Sequence, residues 1–208
     1  MMLLSLFFAL IAGFTHAFEA DHLLAVSSIV TRRNTLLMAV KDGIAWGLGH
    51  TSTIFGIGLL IIVGKVAMSE STFHYFEAGV GLMLIVLGTF RLIRVLLNRD
   101  AEEIIHHEGH SHGHRLAYGV GLIHGLAGSG SLVLLVMSQI PGRLAAVAYL
   151  LVFGLGSVAG MLLASGVFSL PFSKNMAPRY SFRLLLTLLS SLLCVGFGGR
   201  VMYENLFS

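Results

Sequence analysis

The N-terminal stretch MMLLSLFFALIAGFTHAFEADHLLAVSSIV (1–30) decides which class of fold the chain can adopt. It is long and apolar enough to cross a bilayer, which takes ~20 mainly apolar residues in a helix. Yet four ionisable or metal-ligating side chains stand close together within it, at His16, Glu19, Asp21 and His22. A single central Asp costs ~2.5–3.5 kcal/mol in such a helix. Groups of this kind persist in a membrane when they face a cavity, pair with one another or bind an ion.

The stretch has two alternative interpretations. The first helix could begin only after His22, which would leave the polar residues in a loop, or residues 1–17 could be a cleaved signal peptide. Thr15-His16-Ala17 loosely resembles a cleavage site, but the stretch lacks the positive charges that open such peptides. Its apolar character also resumes at Leu23 and continues to Val30. We therefore interpret the stretch as a retained first transmembrane helix.

The composition of the whole chain is that of a membrane protein. Of its 208 residues, 56% are hydrophobic and 11% charged, and the mean hydropathy is +0.88. Soluble domains carry about a quarter charged residues, and so few charges would leave very large apolar patches in water. We predict an all-α integral membrane fold of about six transmembrane helices in a single domain, 1–208. The predicted spans are 3–30, 43–66, 75–97, 116–138, 144–168 and 183–204.

The positive charges predict the orientation of these spans. Ten of the 13 Lys and Arg residues lie in or beside the first, third and fifth loops, and three lie on the opposite side. Loops rich in Lys and Arg stay in the cytoplasm. We therefore expect both termini outside the plasma (inner) membrane and the third loop in the cytoplasm.

Several classes of partner are disfavoured. The basic residues stand singly or in pairs at the ends of apolar runs, which is not the pattern of a nucleic-acid surface. No Gly-rich phosphate loop or acidic ATPase motif is present, so we expect no nucleotide site. The single cysteine, Cys194, excludes a cage of thiolate ligands. The lipid bilayer and a transition-metal ion remain as the expected partners, and the oligomeric state stays open.

The two halves of the chain resemble each other. Gly13-Phe14-Thr15-His16 matches Gly121-Leu122-Ile123-His124 at an offset of 108, and Gly47-Leu48-Gly49 matches Gly154-Leu155-Gly156 at 107. With three helices in each repeat, the second copy must enter the membrane from the other side, as in many secondary transporters. The alternative is a chance alignment of Gly-rich apolar helices. The predicted division is 1–97 for the first inverted repeat, 98–115 for a His-rich cytoplasmic loop and 116–208 for the second.

Helix geometry limits how the polar residues of the first span can act together. On a straight helix His16, Glu19 and His22 share one face, and Asp21 lies roughly opposite. Either Asp21 has another partner, or the helix is unwound near Ala20 so that His16, Asp21 and His22 converge on one ion. We favour the break, because broken helices are common at transporter ion sites.

Two further histidines stand in apolar spans. His50 follows closely spaced glycines and precedes the hydroxyls of Thr51-Ser52-Thr53. We interpret it as a metal ligand, with a hydrogen-bonded core histidine as the alternative. His124 in the fourth span either completes the ion site or only bonds to a neighbouring helix, and both possibilities stay open.

The predicted third loop holds five histidines within nine residues, separated mainly by small ones. An imidazole-rich tract of this kind binds divalent metals, and we expect it to act as a cytoplasmic buffer or sensor; a merely solvated loop is the alternative. Imidazole with carboxylate suits Ni²⁺, Co²⁺, Zn²⁺ or Cu²⁺ rather than Cu⁺. The histidines of the tract are His106, His107, His110, His112 and His114.

At these motifs the chain resembles the nickel/cobalt transporter (NiCoT) family and its compact urease-accessory-type members. The family's signature, His, four residues, then Asp-His, stands here as His16-Ala-Phe-Glu-Ala-Asp21-His22. A second family motif is similar to Leu48-Gly49-His50-Thr51-Ser52-Thr53-Ile54. The resemblance implies metal recognition by His16, Asp21, His22 and His50. Glu19 stands where the family often has Asp, and the additional helices and later acidic motifs of typical uptake members are missing.

We therefore predict a permease for a divalent transition metal, nickel or cobalt first and zinc as a further candidate. It would work by alternating access, with the metal as substrate and no resident cofactor. The alternatives are an efflux protein for the same ions, a non-transporting membrane factor that delivers metal to a metalloenzyme, and an intramembrane metalloprotease. The last lacks the His-Glu-x-x-His spacing, and we expect the chain not to be an enzyme. The direction of transport, the coupling ion and the preferred metal stay open.

Overall fold

The structure, a computed structural model, describes residues 2–30, 35–66, 68–97, 110–127, 140, 142–170 and 180–207, with the backbone alone at 70, 110–113 and 180. Every long regular element in these ranges is an α-helix. The helices are α1 Met2–His16, α2 Ala20–Val30, α3 Leu36–Ile62, α4 Glu70–Leu96, α5 His110–His124, α6 Arg143–Ser169 and α7 Tyr180–Phe207.

Four of the described helices, and one bent pair of helices, have the length of a membrane span. By length and composition, α3, α4, α6 and α7 can each cross a bilayer, and α1 with α2 forms a fifth candidate that is bent by 55°. The described part of the chain is thus all-helical, with the apolar spans of an integral membrane protein. Helix α5 covers only the first part of the predicted fourth span, 116–138, since it ends at His124 and residues 125–127 form a turn. Residues 128–139 lie outside the described ranges. A sixth span stays a prediction.

The bend between α1 and α2 confirms the helix break that ligand geometry predicted near Ala20. The amide of Glu19 donates to the carbonyl of His16 at 3.1 Å, in a tight turn that ends α1. Asp21 stands in the first turn of α2, where a carboxylate complements the positive end of the helix dipole. The break leaves the rings of His16 and His22 with their centroids 4.5 Å apart.

Glycines allow the backbones of α1 and α6 to touch. A methyl group at Gly13 would overlap the carbonyl group of Phe153, and one at Gly156 would overlap that of Leu10. Small residues are the usual means by which membrane helices approach so closely. The contact brings the ring of Phe153 to a centroid distance of 5.6 Å from His16.

Contacts of the same kind join α3 to α5. A methyl group at Gly121 would overlap the carbonyl group of Trp46, and one at Gly49 would overlap that of Tyr118. The contact brings the ring of Trp46 to a centroid distance of 5.9 Å from His124. Each of the two interfaces thus places one aromatic ring beside one histidine.

Helix α2 lies inside the helical assembly. It contacts α3, α4, α5, α6 and α7, and its hydroxyl at Ser28 lies 3.2 Å from the thiol of Cys194 on α7. Helices α4 and α7 also meet closely, since a methyl group at Gly198 would lie 2.5 Å from the carbonyl oxygen of Gly81. The polar residues at the start of α2 are therefore held away from the lipid-facing surface.

Candidate metal centre

Four imidazoles meet around the break in the first span. His16 ends α1, His22 stands at the start of α2, His50 lies in α3 and His124 ends α5. The ring centroid of His22 lies 4.5 Å from that of His16, 5.1 Å from that of His50 and 4.2 Å from that of His124. His22, His50 and His124 expose 1% of their surface or less. Side chains far apart in sequence therefore form one buried cluster with His22 at its centre.

Asp21 bonds to two of these rings at once. One carboxylate oxygen accepts from Nδ1 of His22, and the other accepts from Nε2 of His124, each at 3.0 Å. A neutral imidazole that donates from one nitrogen has its lone pair on the other. Metal-ligating histidines usually donate in this way to a carboxylate, which fixes the ring and raises the basicity of the free nitrogen.

The ring nitrogens of His22 and His124 that do not bond to Asp21 have no hydrogen-bond partner among the described residues. Nε2 of His22 and Nδ1 of His124 are buried without a hydrogen-bond partner there, and so are both ring nitrogens of His50. A buried polar atom without a partner costs about 1–3 kcal/mol. Several such atoms in one cluster require a specific explanation. A cation bound among them would supply one.

Glu19 orients His16 at the edge of the cluster. Its carboxylate accepts from Nδ1 of His16 at 2.9 Å, and 58% of the Glu19 side chain is exposed, against 16% for His16. The second ring nitrogen of His16 is thereby left as its free donor atom for an ion. Glu19 and Asp21 thus have similar contacts, but Asp21 serves two rings and is the more buried.

The cluster contains two groups that could hold an ion. One is His16, His22 and His50, and the other is Asp21, His22 and His124, each with its ligand atoms within 4.8 Å of one another. Ligands bound at ~2.0–2.1 Å lie roughly 3–3.5 Å apart, so small side-chain movements would close either group around an ion. The first group offers three nitrogens, and the second offers two nitrogens and a carboxylate oxygen. Both sets suit nickel, cobalt, zinc or copper(II).

The structure brings the six predicted intramembrane residues together and places the histidine tract differently. His106 and His107 lie outside the described residues, as do the side chains of His110 and His112. Helix α5 begins at His110, so the end of the tract is helical rather than part of a loop that runs to 115. His114 bonds to Asp42 across 2.6 Å. Whether any of these histidines binds metal stays a prediction.

Two residues near the cluster were missed by sequence reasoning. Asp42 is buried in α3, and the buried ring of Trp46 lies between Asp42 and His50 in the same helix. The three residues are spaced by four, which aligns them on one helix face. An acidic residue two turns before a candidate ligand in an apolar helix is the pattern that could have identified Asp42.

Sequence comparison finds relatives with names related to nickel. The chain is 34% identical over 174 residues to urease accessory protein UreH of Bacillus sp. (strain TB-90), across 78% of this chain and 75% of that protein. It is 31% identical over 99 residues to the nickel transporter NicT of Mycobacterium tuberculosis (strain ATCC 25618 / H37Rv), across 41% of this chain and 24% of the transporter.

A more distant relative covers nearly the whole chain. Chloroplast protein FOR GROWTH AND FERTILITY 2 of Arabidopsis thaliana is 24% identical over 212 residues, which is 94% of this chain and 55% of that protein. No protein-family model matches the chain, and no solved structure matches it.

Proposed function

Because the chain belongs to the nickel/cobalt transporter family, in its urease-accessory-type branch, we propose that it is a permease that carries Ni²⁺ or Co²⁺ across the membrane. The relatives are named as a urease accessory protein and a nickel transporter, which supports a nickel-related membrane function. Neither name is that of an enzyme. The route that we assign to the ion is the histidine cluster at the bend of the first span.

One observation carries this proposal: imidazoles from four helices meet in one cluster, and several of their buried ring nitrogens have no hydrogen-bond partner among the described residues. A structural cluster would pair its polar atoms with one another, as Asp21 does with His22 and His124. His50 instead has two buried ring nitrogens without a partner among the described residues. An ion that enters the cluster would remove that cost at one nitrogen of His50, since a ligand imidazole gives its single lone pair to the metal.

His22 belongs to both candidate groups, which suggests how an ion moves. An ion held with His16 and His50 can pass to the carboxylate of Asp21 and to His124 while the ring of His22 stays a ligand, provided that the hydrogen bonds of Asp21 to these two rings open. The step exchanges nitrogen ligands for a set that contains a negative charge. Sharing one ligand lowers the cost of the transfer because the ion is never fully stripped of protein ligands.

We further propose that the helices form two inverted repeats around this cluster. The sequence offsets of 107 and 108 relate Gly13 to Gly121 and Trp46 to Phe153. The contact of Gly13 with Phe153 then has a counterpart in that of Gly121 with Trp46. Such a relation places the ion site at the repeat interface, where secondary transporters have it.

The same relation gives the cluster an aromatic ring on each side. The ring centroid of Trp46 lies 5.7 Å from that of His22 and 5.9 Å from that of His124, and the centroid of Phe153 lies 5.6 Å from that of His16. Two rings in related positions can close the site alternately to the two sides of the membrane.

We assign both termini to the outside and the 98–115 loop to the cytoplasm of a plasma membrane, and reporter fusions at the loop test that topology.

A second candidate function is metal delivery without transport. It is favoured by the name of the Bacillus relative, an accessory protein of urease. A delivery factor would use the same ligands to hold an ion for a partner enzyme. Flux separates the two functions, because a delivery factor binds metal but does not move it across a sealed membrane.

Proteoliposomes that contain only the purified chain test transport directly. Ni²⁺, Co²⁺ and Zn²⁺ are offered separately to vesicles with a metal-sensitive dye inside, with membrane potentials of either sign. We expect flux for nickel and cobalt, and its loss in His22→Ala because that ring serves both groups of ligands. The matched control is His74→Ala on α4, whose ring bonds to Asn205 at the exposed surface 2.9 Å away and should keep wild-type flux.

Two results would reject parts of the proposal. Metal binding without flux in the wild-type chain would favour delivery over transport. Wild-type metal affinity in both His16→Ala and His22→Ala would remove the ion from the cluster, which would then be a structural polar centre.

A further inference from the structure

We propose that the indole N–H of Trp46 holds a small anion, hydroxide or a halide, that binds the metal ion in the histidine cluster together with its protein ligands. The inference deepens the proposed function and rests on the ion site assigned there, because the anion would be one more ligand of the same ion. Trp46 is then a positioning residue, since its N–H contacts the anion and not the ion.

The side chain of Trp46 carries a buried donor without a described acceptor. Trp46 is the single tryptophan of the chain and is fully buried in α3. Its Nε1 atom has no hydrogen-bond partner among the described residues. A buried indole N–H usually has a partner, and it can donate but not accept a hydrogen bond. The group that satisfies it must therefore offer a lone pair, which a bare cation does not have.

The indole lies beside the two rings that Asp21 joins. Its ring centroid is 5.7 Å from that of His22 and 5.9 Å from that of His124. The backbone holds it there, since a methyl group at Gly121 would overlap the carbonyl group of Trp46. A metal–oxygen bond of ~2.0–2.2 Å followed by a hydrogen bond of ~2.9 Å spans roughly 4–5 Å. An anion between an ion in the cluster and the indole fits these separations.

The candidate ligand groups each leave room for a ligand that does not come from the protein. Both groups supply three ligand atoms, whereas divalent ions of this class bind four ligands or more. Metal sites with three protein ligands complete the set with a small ligand from solvent. A donor such as Nε1 of Trp46 fixes the position of that ligand through a hydrogen bond, and it favours a ligand with negative charge.

The charges of the cluster also favour an anion. A divalent ion brings two positive charges, and the buried part of the cluster supplies one carboxylate, Asp21, because the Glu19 side chain is 58% exposed. Hydroxide or a halide would offset the second charge, and a neutral complex costs less to hold away from water than a charged one. Hydroxide forms when a water on the ion releases one proton to the solvent, which a divalent metal promotes.

The related ring at the other end of the cluster lacks the donor. The offset of 107 relates Trp46 to Phe153, which is 2% exposed and has its ring centroid 5.6 Å from that of His16. Phe153 is thus buried beside a histidine as Trp46 is, but its side chain has no polar atom. The anion position therefore belongs to the side of Trp46, and the two rings offer a matched pair of variants.

The single tryptophan allows a test on the wild-type chain. With ¹⁵N in its indole, the full-length chain in a neutral detergent gives one indole N–H resonance, that of Trp46. Zn²⁺ is the probe, because it is diamagnetic and suits the same ligands. We expect bound Zn²⁺ to move the indole proton downfield and to slow its exchange with D₂O, since a new hydrogen bond forms. The change should be absent in His22→Ala, which disrupts both ligand groups.

The buffer identifies the anion. A shift that is present in chloride-free perchlorate buffer indicates hydroxide, and one that appears only after chloride is added indicates a halide. Either result supports an anion held by Trp46. An indole resonance that stays in place in both buffers, with Zn²⁺ bound in the cluster, would overturn it.

Variants of the two rings separate the N–H group from the bulk of the side chain. Azide is titrated into the Co²⁺-loaded chain and followed by the visible absorption of cobalt. Trp46→Phe keeps an aromatic ring and removes the donor, so azide affinity should fall about 10-fold, the scale expected when a metal ligand loses its hydrogen-bond partner. Phe153→Leu is the matched control and should leave azide affinity unchanged. Equal losses in the two variants, or none in Trp46→Phe, would contradict the proposal.

The measurements distinguish this inference from the proposed function. Zn²⁺ that binds in the cluster and leaves the indole resonance in place rejects the anion alone. Zn²⁺ binding that is the same in the wild-type chain and in His22→Ala would place the ion elsewhere, and it would reject the anion together with the ion site.

Discussion

The two ends of the histidine cluster are closed by similar backbone contacts but carry different chemistry. Trp46 at one end and Phe153 at the other each have a carbonyl group pressed against a glycine of a neighbouring helix. Beyond Trp46 lies the buried carboxylate of Asp42 with its imidazole partner. The position related to Asp42 at the other end holds Tyr149 within an apolar cluster.

This difference separates what positions the helices from what selects the ion. Glycines decide how closely the backbones approach, and they occur at both ends in related positions. Carboxylate and imidazole groups decide where a cation can bind. Outside the cluster, the described side chains include one bonded pair of these groups, Asp42 with His114, on the far side of Trp46 and none on the far side of Phe153. Experiments that alter the shared features should affect both ends equally, whereas changes to the charged groups should not.

The largest effect is expected where the backbones touch. Gly13→Ala and Gly121→Ala should both prevent correct assembly or lower the melting temperature strongly, because each new methyl group would overlap a backbone carbonyl. Their similar severity would support the relation between the two interfaces. Thermal unfolding of the purified variants, followed by circular dichroism and size-exclusion chromatography, measures it.

Helix α5 offers a control for this comparison. A methyl group at Gly119 would meet no atom within 4 Å, so Gly119→Ala should leave the melting temperature unchanged or raise it, since Ala favours a helix by up to ~1 kcal/mol over Gly. If Gly121→Ala were as stable as Gly119→Ala, the close contact between α3 and α5 would be refuted.

The next largest effect concerns the two carboxylates at the break. Asp21→Asn should reduce metal affinity and flux by about 10–100-fold, because it weakens the orientation of two rings and removes the negative charge. Glu19→Gln should be several-fold milder, since Glu19 holds only His16 and is more than half exposed. Isothermal titration with Ni²⁺ compares the two variants. Equal losses would indicate that Glu19 contacts the ion as closely as Asp21 does.

The smallest effect is expected from the outer histidines of the tract. Replacing His106 and His107 with Ser should lower the number of metal ions bound per chain and leave the maximal flux within about twofold, because local concentration matters little once the ion sites are saturated. Flux at limiting and at saturating nickel distinguishes the two regimes. Loss of flux at saturating nickel in a chain that inserts normally would place these residues on the transport route itself.

Much of the candidate site could be predicted from sequence because its residues violate the rules of an apolar helix. The costs of His16, Asp21 and His22 in a span are local, so they could be recognised without tertiary contacts. The break near Ala20 followed from the incompatible faces of these residues. Asp42 escaped notice because its position near a helix end made it look like a loop-flanking charge.

By itself, the sequence determined the membrane class, the approximate helix bounds and the residues rich in ligand atoms, since length, hydropathy and side-chain type are properties of short segments. Only the tertiary structure decided which atoms meet. Asp21 and His124 are 103 residues apart and Asp42 and His114 are 72 apart, and no local pattern specifies such partners. These contacts depend on how closely the glycine-containing helices pack, because the packing sets the positions along the helix axes at which distant side chains meet.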